Sequence, residues 1–211
     1  MNNGVKFGDK HSTDDWDLLM TSKTIEDAEP KIIEVDIPGS NGKLDLTEWT
    51  GEVLYNNRNL IFNFDIFDSP SNWWTLKEEI TKYVHGKKLK IVLDQDDKYY
   101  YFGRCKVVDF SNETTVAHLT IECDCEPFKY KKDVTTKSIN GTGTLNLSNG
   151  RKRVMPTITS NESMQFTFEN KTFVVNGTLQ SPDIILKEGN NIIEVISGTG
   201  TLTATYQEGE L

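Results

Sequence analysis

Residues 33–63, IEVDIPGSNGKLDLTEWTGEVLYNNRNLIFN, decide how the chain is read. Ile33, Val35 and Ile37 alternate with Glu34 and Asp36, the two-residue period of a half-buried strand, which is expected over residues 31–37. Pro38-Gly39 and Asn41-Gly42 stop it with turn chemistry. An arm follows over residues 41–51, in which Leu44, Leu46 and Trp49 interleave with Asp45 and Glu48. Tyr55-Asn56-Asn57-Arg58 then leads into a second strand over residues 59–67. There Leu60, Phe62, Phe64 and Ile66 take one face and Ile61 the other. The stretch holds no nucleophile, base or metal cluster. It spells a β scaffold with a shaped connection.

Outward from this stretch, residues 5–7 and 16–20 are short strand candidates. One helix is expected after Ser69-Pro70-Ser71-Asn72, stopped by Gly86. Trp73, Leu76, Ile80, Tyr83 and Val84 form its apolar stripe at helical spacing. Trp73 joins that stripe, whereas Trp74 points about 100° away from it and is a candidate for a subunit interface, where Trp is enriched. Residues 88–93, 98–110 and 114–123, joined by short polar turns, form an antiparallel meander. In its long middle strand Cys105, Val107 and Asp109 share one face, and Arg104, Lys106, Val108 and Phe110 the other. Neither face is purely polar.

Glu126-Pro127-Phe128 marks a boundary, and the chain divides into an N-terminal domain (1–130) and a C-terminal domain (131–211). Six short strand candidates follow, over residues 155–160, 164–169, 171–175, 183–186, 191–197 and 201–206. With their Gly punctuation they describe a small β-sandwich. The fold class is mainly β: a sandwich-like first domain with one α-helix, then a second small sandwich.

Charge is divided unevenly. Residues 1–130 carry 15 Lys and Arg against 24 Asp and Glu, and residues 131–211 carry eight of each, so the net charge of −9 belongs to the first domain. An acidic surface repels phosphate and argues against nucleic-acid binding. The odd cysteine count (Cys105, Cys123, Cys125) opposes a disulfide framework and suits a reducing cytoplasm. Residues 1–10 lack the apolar run of a signal peptide, and no window is long and apolar enough to span a bilayer.

Catalytic readings lack support in the residues. His11-Ser12 with Asp14-Asp15 lacks the rigid frame that holds a nucleophile, base and orienter. Asp94-Gln95-Asp96-Asp97 reads as a hairpin turn and not a calcium loop. Cys123 and Cys125 with His118 lack the usual zinc-ligand spacing. His11, His85 and His118 have no evident catalytic partners. No enzyme, cofactor or metal is expected. Arg151-Lys152-Arg153 is an exposed basic turn, with Arg151 and Arg153 as candidates for an intersubunit contact. Phe166, Phe168 and Phe173 fit either core packing or a sugar-stacking platform.

The order of these pieces resembles that of siphophage distal tail proteins, the hub subunits at the tip of a phage or prophage tail. The resemblance rests on Val5-Lys6-Phe7-Gly8, on Ile37-Pro38-Gly39 with Leu44-Asp45-Leu46-Thr47, and on Tyr55-x-x-Arg58. In the second domain it rests on Met155-Pro156-Thr157-Ile158, Gly189-Asn190-Asn191, Gly198-x-Gly200 and Tyr206-x-x-Gly209-x-Leu211. It implies an N-terminal domain that packs side by side into a hexameric ring, and a galectin-like or carbohydrate-module-like C-terminal domain. The implied partners are further copies of the chain, the tail tube protein, the tail-tip protein and a receptor-binding protein. The implied location is the virion tail tip, after synthesis in the bacterial host cytoplasm. Trp73, Trp74, Leu44, Leu46, Trp49, Arg151 and Arg153 are the interface candidates. The alternative is a carbohydrate-binding module of a cell-surface adhesion device, which needs exposed aromatics on the second sandwich.

Overall fold

Leu60, Phe62, Phe64 and Ile66 are all buried, and the first half of the molecule is built on the strand that carries them. The computed structural model describes residues 3–211. Contacts divide the chain into two units, Met1–Pro127 and Phe128–Leu211. In chain order the first unit contains β1 (Val5–Phe7), β2 (Lys10–His11), β3 (Leu19–Ile25), β4 (Glu34–Asp36), β5 (Lys43–Asp45) and β6 (Arg58–Ile66). After them come the helix α1 (Trp73–Val84), β7 (Lys88–Leu93), β8 (Tyr99–Asn112) and β9 (Ala117–Cys125).

Seven of these strands form one antiparallel sheet in the order β2-β1-β7-β8-β9-β6-β3. The sheet curls strongly. Lys23 on edge strand β3 donates to Gln95 Oε1 (2.6 Å), in the turn after β7. Phe7 of β1 meets Phe62 of β6 edge-on, with ring centroids 5.6 Å apart. Trp73, Ile80 and Val84 of α1 enter the same core. This stripe is the one its spacing predicts, with Leu76 and Tyr83 packed half-buried beside it. The helix ends at Gly86, whose φ of 76° is left-handed and so suits glycine. Gly86 N–H donates to Cys105 O (2.8 Å), which ties the helix exit to β8.

Several local expectations change. Asn72 precedes the helix but makes no side-chain cap; its amide bonds the Asp68 carboxylate instead. The strand expected over residues 16–20 starts at Leu19, because Asp17 turns the chain with a φ of 51° and buries Trp16 and Leu18 from a loop. The mixed faces of the long meander strand have a single cause. Between Val107 and Asp109 the β8–β9 register slips by one, so Val108 bulges and the alternation reverses beyond it. Phe110 therefore packs against the core, and Val108 faces solvent. The largest change concerns residues 31–37. Only Glu34–Asp36 is strand, it pairs with β5 alone, and it lies outside the main sheet.

The second unit contains β10 (Lys129–Lys131), β11 (Thr135–Asn140), β12 (Gly143–Asn149), β13 (Thr157–Phe168), β14 (Lys171–Leu179), β15 (Gly189–Ser197), β16 (Thr201–Tyr206) and β17 (Gly209–Glu210). The main ladder runs β11-β16-β13-β15-β12, with β14 also on β13. Residues 155–160 and 164–169 belong to one strand. Its first half pairs with β16 and its second with β15, and a register break between Ser160 and Met164 lets β13 pass from one layer to the other. Ile158, Met164, Phe166, Phe168, Ile193, Val195, Leu202 and Tyr206 fill the space between. Residues 183–186 are not a strand. Ile184 and Leu186 are buried from a loop held by side-chain amides: Asn149 Nδ2 donates to Leu186 O (3.2 Å), and Asn191 Nδ2 to Lys187 O (2.8 Å). Leu186 also makes an isolated antiparallel bridge with Val154, each N–H donating to the other's carbonyl (2.8 and 3.2 Å), so the amides add to one backbone pair that does not extend into a strand.

Candidate interaction surfaces

The hairpin β4–β5 is the tip of a long arm. Its base is laddered outside the main sheet: Asn56 N–H donates to Glu29 O (2.8 Å) and Lys31 N–H to Leu54 O (2.7 Å). Farther out, Leu46 N–H donates to Ile33 O (2.7 Å), and Ile33 N–H donates to Thr47 Oγ1 (3.1 Å). Thr47 also serves Asp45 through its hydroxyl and its amide (amide to Oδ1 2.8 Å), which holds that carboxyl below its ordinary pKa. Gly39 and Gly42 turn the tip with φ of 83° and 77°.

Register decides what this arm presents. Glu34 faces Asp45, Val35 faces Leu44, and Asp36 faces Lys43. Directly opposed residues share a face, as do positions two apart. One face therefore carries Ile33, Val35, Ile37, Leu44 and Leu46, and the other carries Glu34, Asp36, Lys43 and Asp45, where Lys43 pairs with Glu34 at 2.8 Å. Ile33, Val35, Ile37 and Leu44 are exposed and Leu46 is half-buried. The strand expected here is thus amphipathic as its period says, but it is not half-buried, because no described residue covers its apolar side. An isolated two-stranded hairpin is marginal in water. Five aliphatic side chains on one side of it make an unpartnered apolar face. Ile32, Leu54 and Trp49 extend the exposed apolar surface of the arm, and Trp49 is 80% exposed.

The two adjacent tryptophans separate as the 100° rule requires. Trp73 is 3% exposed and its Nε1–H donates to Asp68 O (2.9 Å). Trp74 is 58% exposed and rests edge-on against Phe110, at 5.1 Å between centroids. Of the two, Trp74 is the one placed for an outside contact. In the second unit Arg151 pairs with Glu188 at 3.1 Å across exposed surface, Lys152 lies over the Tyr130 ring at 4.3 Å, and Arg153 is half-buried.

The other chemically suggestive residues are occupied structurally. Ser12 is buried and its Oγ accepts from Val5 N–H (3.1 Å). His11 Nδ1 accepts from Asp14 N–H (3.2 Å), and Nε2 contacts Asp94 Oδ1 (3.1 Å), so the Nε2–H tautomer satisfies both bonds. His118 bonds Asp65 (2.7 Å) from the outer face of β9, whereas Cys123 and Cys125 point into the core, so the three do not converge. Cys105 and Cys123 stand opposite each other with Sγ atoms 3.2 Å apart. A hydrogen bond from Cys123 to Cys105, together with burial, raises the Cys123 thiol pKa, and burial foremost raises that of Cys125. Among the described residues no group of three His, Cys, Asp or Glu is placed to hold a metal, and no helix is long and apolar enough to cross a membrane. Phe166 and Phe168 are core residues and Phe173 stacks on Phe166 at 5.4 Å, so these three rings form no open platform.

No family model matches the chain, and no curated protein matches it by sequence. Among solved structures it is similar to the SPP1 Dit (gp 19.1) protein, described as a paradigm of the hub adsorption apparatus in phages that infect Gram-positive bacteria. The similarity has a TM-score of 0.72 and covers 98% of this chain and 99% of that one, at 13% identity. The chain therefore has the fold of that distal tail hub protein, as the resemblance read from its sequence implies.

Proposed function

We propose that this chain is a distal tail hub protein of a siphophage or prophage, a structural subunit that works by assembly. In this reading six copies close into a ring at the tail tip. The ring joins the tail tube protein to the tail-tip protein and carries a receptor-binding protein where one is present. The observation that carries the proposal is the arm: a folded hairpin whose charged face meets water and whose apolar face, Ile33, Val35, Ile37 and Leu44, has no cover in its own chain. Fully burying a branched aliphatic side chain contributes about 1.5–3 kcal/mol, and these four, each a little under half exposed, have on the order of 1 kcal/mol apiece left to gain. Four such residues together outweigh the marginal stability of the hairpin itself, so a neighbour is what would make it rigid.

A ring requires that one surface of each copy meet a different surface of the next. An arm extending from a sheet suits that geometry, because it presents its own residues without needing the same patch on its partner. Trp74 with Phe110 and the exposed Val108 is a further candidate contact on the first unit. The likeness of fold to SPP1 Dit supports the same reading. The test is light scattering with negative-stain imaging of the purified chain. A six-fold ring with an open centre is the expected result; a monomer at every concentration would sink the ring.

A further inference from the structure

The arm carries a second kind of signal, and another surface of the same unit answers it. Trp49 is the most exposed of the large apolar side chains in the described structure. It lies beside Glu48, whose side chain is exposed and has no ion-pair partner among the described residues, and three residues before a second acid, Glu52. Elsewhere on the first unit a groove of about 240 Å³ lies between the loop after β2 and α1. It is lined by Lys10, Trp16, Glu79, Lys82, Tyr83 and Lys87. Tyr83, half-buried, presents the aromatic side of the groove, and the buried Trp16 meets it edge-on at 5.6 Å from behind. Lys87 sits 5.3 Å over the Tyr83 ring, and Lys10 pairs with Asp15. Lys82 and Lys87 have no ion-pair partner among the described residues. A basic, aromatic-walled groove and an acidic loop with one projecting indole are thus left open on one acidic unit.

We infer that Trp49 of one copy of this chain inserts into the Trp16–Tyr83 groove of the next, with Glu48 set against Lys82 and Lys87. This rests on the ring reading and names one of its contacts. Two observations favour a second copy as the occupant. The local charges are opposite, Glu48 on one surface and Lys82 and Lys87 on the other, and an exposed Trp is the residue type enriched as an interface anchor. The donor and acceptor surfaces are different patches, as head-to-tail closure requires.

The experiment is sedimentation of the full chain with variants. Trp49→Ala is expected to weaken self-association by about 30-fold or more. Lys82→Glu and Glu48→Lys are each expected to weaken it, and the double variant to recover part of the loss. A photo-crosslinking amino acid at position 49 is expected to label residues 79–87 of another chain. If Val35→Asp abolishes assembly while Trp49→Ala assembles like the parent, the pairing is wrong and the ring reading stands. If the parent chain never associates, both are overturned.

Discussion

Val35 and Leu44 stand directly opposite each other across the β4–β5 hairpin, and they are 44% and 47% exposed. A cross-strand aliphatic pair normally marks the inward face of a sheet. Among the described residues nothing lies beneath it.

Replacing both with Asp is expected to leave the unfolding free energy of the isolated chain within about 0.5 kcal/mol of the parent, because both side chains already meet water. Self-association is expected to fall at least tenfold, since each has a little under half of its surface left to bury, on the order of 1 kcal/mol apiece at a contact, and the new charges oppose that burial. Denaturant titration and light scattering on the same sample separate the two effects. Unfolding of the variant would show that the face is covered from within.

Gly103 faces Cys125 across β8 and β9, with no room for a side chain. A Cβ there would lie 2.4 Å from Cys125 Sγ, 2.5 Å from Asp124 O and 2.6 Å from Cys125 Cα. Two of these are backbone atoms and cannot swing aside. Gly103→Ala is expected to cost about 1–3 kcal/mol by overpacking, which chemical denaturation would register. An unchanged midpoint would contradict the close approach.

The three thiols are expected to be silent in the folded protein. Cys105, Cys123 and Cys125 are buried, and the raised pKa of Cys123 and Cys125 keeps them protonated near neutral pH. A thiol reagent at about pH 8 should therefore find no group in native buffer and three after denaturation. Fast labelling of the native chain would show that this part of the core opens.

Tyr206 predicts an alkaline limit for the second unit. Burial foremost, with Glu208 adding to it, pushes the phenol up to about 12 from its ordinary 10, and its Oη–H donates to Ser148 O (2.5 Å). The folded state thus holds this proton more tightly than the unfolded chain. The stabilisation is complete below about pH 10 and is lost as pH rises towards 12. Unfolding followed between pH 9 and 12 should show that slope, and Tyr206→Phe should flatten it.

Asn191 ties the loop before β15. Its Oδ1 accepts from Lys187 N–H (2.9 Å), and its Nδ2 donates to Lys187 O (2.8 Å). Asn191→Ala removes both of these part-buried bonds, each worth about 0.5–1.5 kcal/mol, and is expected to cost about 1–3 kcal/mol in all. A neutral result in thermal unfolding would mean that the backbone re-pairs without it.

Legibility followed the range of the interaction. The alternation in β6, the apolar stripe of α1 and the turn residues between β7, β8 and β9 were readable because each is a pattern among near neighbours, set by a period of two or 3.6 residues. The slip at Val108 was not, because a bulge is a mismatch between two strands and appears in neither alone. The same holds for β13, read as two strands because the polar stretch Asn161–Glu162–Ser163 looks like a turn; only its pairing with both β16 and β15 makes it one. Residues 183–186 have a strand's composition, but their pairing stops at one bridge, Leu186 to Val154, which no local pattern reveals.

The sequence by itself determined that this protein is mainly β with one helix, that its first domain is the acidic one, and that Ile33, Val35 and Ile37 share one side of their segment while Leu44 and Leu46 alternate with charge in theirs. Those properties depend on residue identity and spacing along the chain. Only the hairpin register puts the two sets on one face. The tertiary structure alone decided that this apolar face is left uncovered, and that Lys10, Trp16, Lys82, Tyr83 and Lys87 line one groove. Exposure and convergence depend on which distant segments pack together, and local periodicity carries no record of that.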